Sequence, residues 1–187
     1  MKIIKMIVLL SAIGVLGVAG FIYSGLYPIG ADVPHNAVTY WVLETLRERS
    51  IKRAASDINV PDLSDPELLL SGGPDYNEMC LECHLKPGKN KSDMSVGLYP
   101  SPPNLSQDGD GNDHNHDEHG DEKYTAQRQF WIIKHGIKAS GMPAWGETHD
   151  DQRIWAMVAF LQKLPRLTPE QYQIITARSD GENNHSH

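Results

Sequence analysis

Cysteine is nearly missing from this chain of 187 residues: there are two, Cys80 and Cys83, and both fall in the stretch CLECH. A zinc site made of four cysteines is therefore excluded, and a mixed one has to take its other ligands from histidine. Basic residues are outnumbered 17 to 24, giving a formal net charge of −7. A nucleic-acid partner, which rewards a basic face, has no electrostatic support here. No segment alternates apolar and polar residues as a half-buried strand does. Without strands, a thioredoxin-like redox dithiol lacks the strand-helix-strand unit it would sit in. Internal repeats, a hydrolase triad, a phosphate-cradling glycine loop and a nicotinamide fingerprint are absent as well.

Charge is missing from one long stretch. Residues 6–27 read MIVLLSAIGVLGVAGFIYSGLY, and the first charged residue after Lys5 is Asp32. As a helix, that segment is long enough for a bilayer core of about 30 Å. Lys2, Lys5 and the amino terminus lie on one side of it, so the positive-inside tendency puts residues 1–5 in the cytoplasm and everything after Pro28 outside. A cleaved export signal is the competing reading. Its apolar part is usually only about 7–15 residues long and ends in an A-x-A-like site. Gly17-Val18-Ala19 is a poor version of such a site, placed inside the run. We expect a retained single-pass anchor, and either reading exports the rest of the chain.

Residues 28–63 read as a linker containing one helix. Pro28, Gly30 and Pro34 break the first helix; then Val38, Trp41, Val42 and Leu46 recur at helical spacing, with Arg47, Arg49, Lys52 and Arg53 on the polar side. This juxtamembrane helix is expected to be a spacer lying on the following domain rather than an element that binds a partner or lipid headgroups.

The domain itself is expected over 64–167. Ser64-Asp65-Pro66 is a helix start, a capping residue followed by proline in the first turn, and the helix leads through ELLLSGGPDYNEM into Cys80. Proline, glycine and lysine make the residues from His84 to Pro103 a loop. Residues 108–122, DGDGNDHNHDEHGDE, hold no aliphatic or aromatic side chain and read as a solvated acidic insert. Helical spacing returns at Phe130, Ile133 and Ile137. In the last helix, DQRIWAMVAFLQKL, apolar residues run around most of the circumference, so it must be largely buried, and Pro165 stops it. Residues 168–187 read as a tail. Few helices joined by long loops need something else to fill the middle.

Three readings of CLECH compete: a redox dithiol, half of a zinc site completed by histidines, and the attachment point of a covalent haem. Two thiols three apart can each form a thioether with one porphyrin vinyl group, and the next imidazole then sits beneath the iron. Such attachment takes place outside the bacterial cytoplasm, which the N-terminal segment serves. A haem also fills a loop-rich domain.

From roughly Ser64 to Leu164 the chain resembles the class I c-type cytochromes with a single haem. The resemblance rests on CLECH, on Gly72-x-x-x-Tyr76-x-x-x-Cys80, on PPNL after the motif and on GMPAW ahead of the last helix. It implies an all-α fold around one covalently attached haem c, with Cys80 and Cys83 as the thioether partners and His84 as the proximal ligand. Gly72 would let the last helix approach closely, since only a residue without Cβ permits it. Tyr76 would lie at that crossing, facing Phe160. By the same resemblance the Pro103 carbonyl orients His84, Leu105 packs on the haem edge, Met142 is the second axial ligand, and Trp145 packs on the haem or hydrogen-bonds a propionate. His135 and Met94 are rival ligands expected to be structural, and His149 reads as a residue near a helix cap. The acidic insert departs from the family pattern.

Iron held by histidine and methionine has no open position, which points to electron transfer rather than catalysis. The expectation is an anchored carrier, or a fixed subunit, on the periplasmic side of a bacterial inner membrane. It would work between a dehydrogenase or quinol-oxidising complex and a terminal acceptor or oxidase. Two alternatives stand beside it. One is a haem peroxidase or gas-binding site in which Met142 is displaceable. The other is a metal-responsive cytochrome that holds a divalent ion weakly at His114, His116 and His119, with His185 and His187 near the C-terminus; imidazole beside carboxylate suits such ions. DGDGND hints at a calcium loop but lacks its central glycine and final glutamate.

Overall fold

The computed structural model describes residues 1–107 and 122–177. The insert histidines His114, His116 and His119, together with His185 and His187, lie outside the described residues. Among the described residues every regular element is a helix. The chain divides into two compact units, Met1–Pro34 and His35–His187.

The first unit is one long helix, α1, Lys2–Ser24, with a mean hydropathy of 2.4 over its most apolar window and no buried residue. It starts before residue 6 and stops short of residue 27. Gly25 closes it at φ 63, a left-handed conformation natural to glycine. By length and composition α1 can cross a membrane, a test that an export signal near the N-terminus also passes.

The second unit begins with α2, Ala37–Ala55, capped by Asn36, whose side chain accepts from the Thr39 N–H. It buries only Ile51 and Ala55, and its neighbour is α6, Glu122–His135. Arg128 of α6 donates to both carboxylate oxygens of Glu48 at 3.0 and 3.1 Å. The Gln127 amide donates to the carbonyls of Ser56 and Ile58, at 3.3 and 2.7 Å. The Gln127 bonds satisfy two carbonyls just beyond the end of α2.

Helix α3, Pro66–Met79, has Asp65 as its cap and proline in its first turn, which is what Ser64-Asp65-Pro66 implied. One turn, α4, Leu81–His84, follows. The stretch expected to be loop contains α5, Asp93–Gly97, held by a reciprocal capping box between Ser92 and Ser95. After α6 come α7, Asp151–Leu161, capped by Asp150, and α8, Pro169–Thr176, capped by Thr168. Pro165 lies in a 3-10 turn, Leu164–Arg166, beyond the end of α7.

The core is built where α3 crosses α7. A Cβ on Gly72 would fall 2.0 Å from the Ala156 carbonyl oxygen, so the two backbones touch there. One turn on, the rings of Tyr76 and Phe160 lie 5.2 Å apart. Tyr172 of α8 completes an aromatic cluster at 6.4 Å from Tyr76 and 6.1 Å from Phe160. All three side chains are buried. The stretch expected to be a tail, 168–187, contains α8, which closes the core. Arg153 of α7 grips Asp75 of α3 through two bonds of 2.6 and 2.8 Å, a fork-to-fork pair that sets the register of the crossing. Helix α3 also runs unbroken through Gly72-Gly73-Pro74, residues that ordinarily weaken a helix. Contacts on both sides account for the two glycines: Gly72 faces α7, and Gly73 sits against the Ile175 carbonyl of α8, with 2.9 Å to a Cβ added there.

Candidate cofactor site

The end of α3 places the attachment motif. Cys80 caps the helix, and its carbonyl accepts from the N–H groups of Cys83 and His84 at 3.1 and 2.8 Å, so the two thiols and the imidazole leave one tight turn. Neither cysteine is paired in a disulfide. Burial pushes the Cys80 thiol up to about 12, with Asp75 and Cys83 adding to the effect. Burial and then Glu82 raise that of Cys83. Thiol-disulfide redox chemistry needs the thiolate, which this setting disfavours. Among the described residues no group of three or more His, Cys, Asp or Glu is placed to hold a metal ion. A sulfur joined to a second carbon is uncharged, the form that suits a buried position.

His84 is aimed by backbone. Its Nδ1 lies 2.9 Å from the Pro103 carbonyl oxygen. A carbonyl only accepts, so Nδ1 carries a proton, and in the neutral ring the lone pair then lies on Nε2, the state a metal ligand requires. The Leu105 N–H donates to the His84 carbonyl at 3.1 Å, tying PPNL back to the motif a second time. A third restraint was not foreseen from the sequence. The Tyr76 hydroxyl donates to the carbonyls of His84 and Leu85, at 3.2 and 2.7 Å. Burial, followed by Cys80 and Tyr172, keeps that phenol neutral far above the ordinary tyrosine range. Leu85 turns with φ 67, so the chain reverses where Tyr76 meets it.

The methionine sits on a loop fixed from its own backbone. The Met142 carbonyl accepts from the Ile137 N–H, and the Met142 N–H donates to Ser140 Oγ, both at 3.1 Å. Gly136, at φ 63, passes so close that an added Cβ would lie 2.7 Å from the Met142 oxygen. The side chains of Cys80, Leu105, Met142 and Trp145 are half-buried against the same core cluster. Trp145 opens a 3-10 turn, Trp145–Glu147, and meets His149 edge to face at 5.4 Å. Burial and then Arg153 lower the His149 pKa, so that imidazole stays neutral near pH 7. Met94 is 50% exposed on α5 and His135 is exposed at the end of α6 beside Trp131.

The residues present fit a haem c. They offer two neutral thiols on one turn, an imidazole whose Nδ1 is turned to the Pro103 carbonyl, and a thioether on a pinned loop. Within residues 86–107 and 137–150, Ser106 alone is buried. Leu98, Leu105, Met142 and Trp145 are half-covered on those loops, and a flat apolar macrocycle is the kind of surface that covers them. No curated protein and no solved structure matched the chain. Residues 67–161 match the family described as cytochrome c oxidase, cbb3-type, subunit III. That match and the α3–α7 crossing agree on the class I cytochrome c fold. The chain belongs to this cytochrome family, and its all-helical domain is a c-type cytochrome that carries covalently bound haem c for electron transfer.

Proposed function

We propose that the protein is a membrane-anchored monohaem cytochrome c with His84 and Met142 as axial ligands, passing electrons from a dehydrogenase or quinol-oxidising complex to a terminal oxidase. Bound haem c supplies the one-electron chemistry. The chain's own residues hold it: Cys80 and Cys83 through sulfur, His84 through Nε2 and Met142 through its thioether. Leu105 and Trp145 cover its edge. The observation that carries this reading is the 2.9 Å bond from His84 Nδ1 to the Pro103 carbonyl, since it turns an ordinary histidine into an oriented ligand. Held by both His84 and Met142, the iron would have no place for substrate and would need little rearrangement between oxidation states. Helix α1 supports the anchor, and the oxidase named in the family's description supports the terminal acceptor. The haem domain is then on the periplasmic side.

The test is spectroscopic. Full-length protein purified from membranes of a host that matures c-type cytochromes should show one covalent haem per chain on a denaturing gel. Its oxidised form should show a far-red methionine-to-iron band, which Met142→Ala abolishes. A wild-type protein without that band near neutral pH, or a reduced form that binds carbon monoxide readily, would overturn the carrier reading in favour of a displaceable ligand.

A further inference from the structure

Helix α2 is covered on one side only. Glu48, Ile51 and Ala55 turn toward α6, and the last two are buried. On the other side Val38, Trp41 and Leu46 are 71%, 66% and 66% exposed, with Val42 between them at 46%. The same stripe continues into Arg49, Lys52 and Arg53, all exposed. At 3.6 residues per turn these positions fall within an arc of about 140°, away from Ile51 and Ala55. The face is thus apolar over its N-terminal half and cationic over its C-terminal half.

Two observations name the occupant. Residues 25–36 join α1 to α2 and span at most about 40 Å when extended, so the apolar half begins a short tether from the helix that can cross a bilayer. Arg49, Lys52 and Arg53 lie together on this stripe with no acidic residue among its positions, a local charge that suits an anionic layer. We propose that this stripe docks on an anionic phospholipid surface, with Trp41 and its apolar neighbours entering at headgroup depth and the arginines meeting phosphates. The inference rests on the anchor reading of α1.

The experiment uses full-length, haem-loaded protein in vesicles of phosphatidylglycerol and phosphatidylcholine. Nitroxide labels go on single cysteines introduced as Val42→Cys, Leu16→Cys in α1, or Glu67→Cys on the exposed start of α3; an unchanged Soret band reports an intact fold. The label at 42 should be relaxed several-fold more by oxygen than by a water-soluble nickel complex, as at 16 and opposite to 67. Removing phosphatidylglycerol, or adding Arg49→Glu and Arg53→Glu, should shift it toward nickel. Nickel preference at 42 with oxygen preference at 16 would overturn the docking while leaving the anchor intact. Exclusion of both probes at 42 would overturn it in favour of a protein cover. Equal oxygen preference on phosphatidylcholine alone would overturn the charge recognition. Nickel preference at 16 would remove the anchor, and this inference with it.

Discussion

A single carbonyl decides which nitrogen of His84 is available, and a single hydroxyl decides where the chain around it turns. Tyr76 ties α3 to the carbonyls of His84 and Leu85. Tyr76→Phe keeps the ring in the core but leaves the inward-facing Leu85 carbonyl unpaired. It should cost about 1–2 kcal/mol in denaturant unfolding, with the Soret band retained. Gly72 is less forgiving. With the Ala156 oxygen 2.0 Å from where a Cβ would stand, Gly72→Ala must push two helices apart and should lose about 3 kcal/mol or more. A thermal midpoint equal to the parent's would mean that the crossing opens cheaply. Both residues were legible as a spaced pattern ending at Cys80. The reach of the Tyr76 hydroxyl was not, because it depends on a positive φ at Leu85 that no side-chain type announces.

Helices were legible in proportion to their length and periodicity. Helix α7, apolar around most of its circumference, was plain; α8 was missed because PEQYQIIT is too short and too polar to show a period. Its worth lies in one side chain. Tyr172→Ala should cost about 3–5 kcal/mol, the usual range for emptying a large aromatic from a core, and chemical denaturation of the holoprotein would measure it. The α2–α6 junction behaves differently because it rests on charge. Burial is the largest single influence and would raise the Glu48 pKa, but the charge of Arg128, the hydrogen bonds from Arg47 and Arg128 and the charge of Arg47 together outweigh it and hold the carboxyl below the ordinary carboxylate range. A depressed folded pKa adds stability at pH above the unfolded value of about 4.3, and that stability drains away as pH falls through the folded value. Glu48→Gln should therefore cost roughly 1 kcal/mol at pH 7, and the two proteins should melt alike in strong acid. A constant difference across the titration would contradict the ion pair.

Seen whole, the domain has a dry half, where α3, α7 and α8 meet, and a half made of loops with almost no buried side chain of their own. The sequence made the second half intelligible only through the cofactor, since no periodicity marks Leu105, Met142 or Trp145 as side chains that pack against one core cluster. A variant with both Cys80→Ala and Cys83→Ala should lose covalent haem and with it the near-ultraviolet dichroism and cooperative melting of the domain, while much of the far-ultraviolet helix signal stays. Sharp melting without haem would show that the loops are held by protein contacts alone. Cys80 ends the same rod in which Gly72, about 12 Å back along the axis, touches the neighbouring backbone without any side chain between. In the proposed reading the macrocycle is thereby mounted at the end of the helix whose backbone meets its neighbour most closely at Gly72. A mount that barely flexes lets the medium around a redox centre respond little to each change of charge, so nuclear reorganisation is small and tunnelling stays fast even at slight driving force.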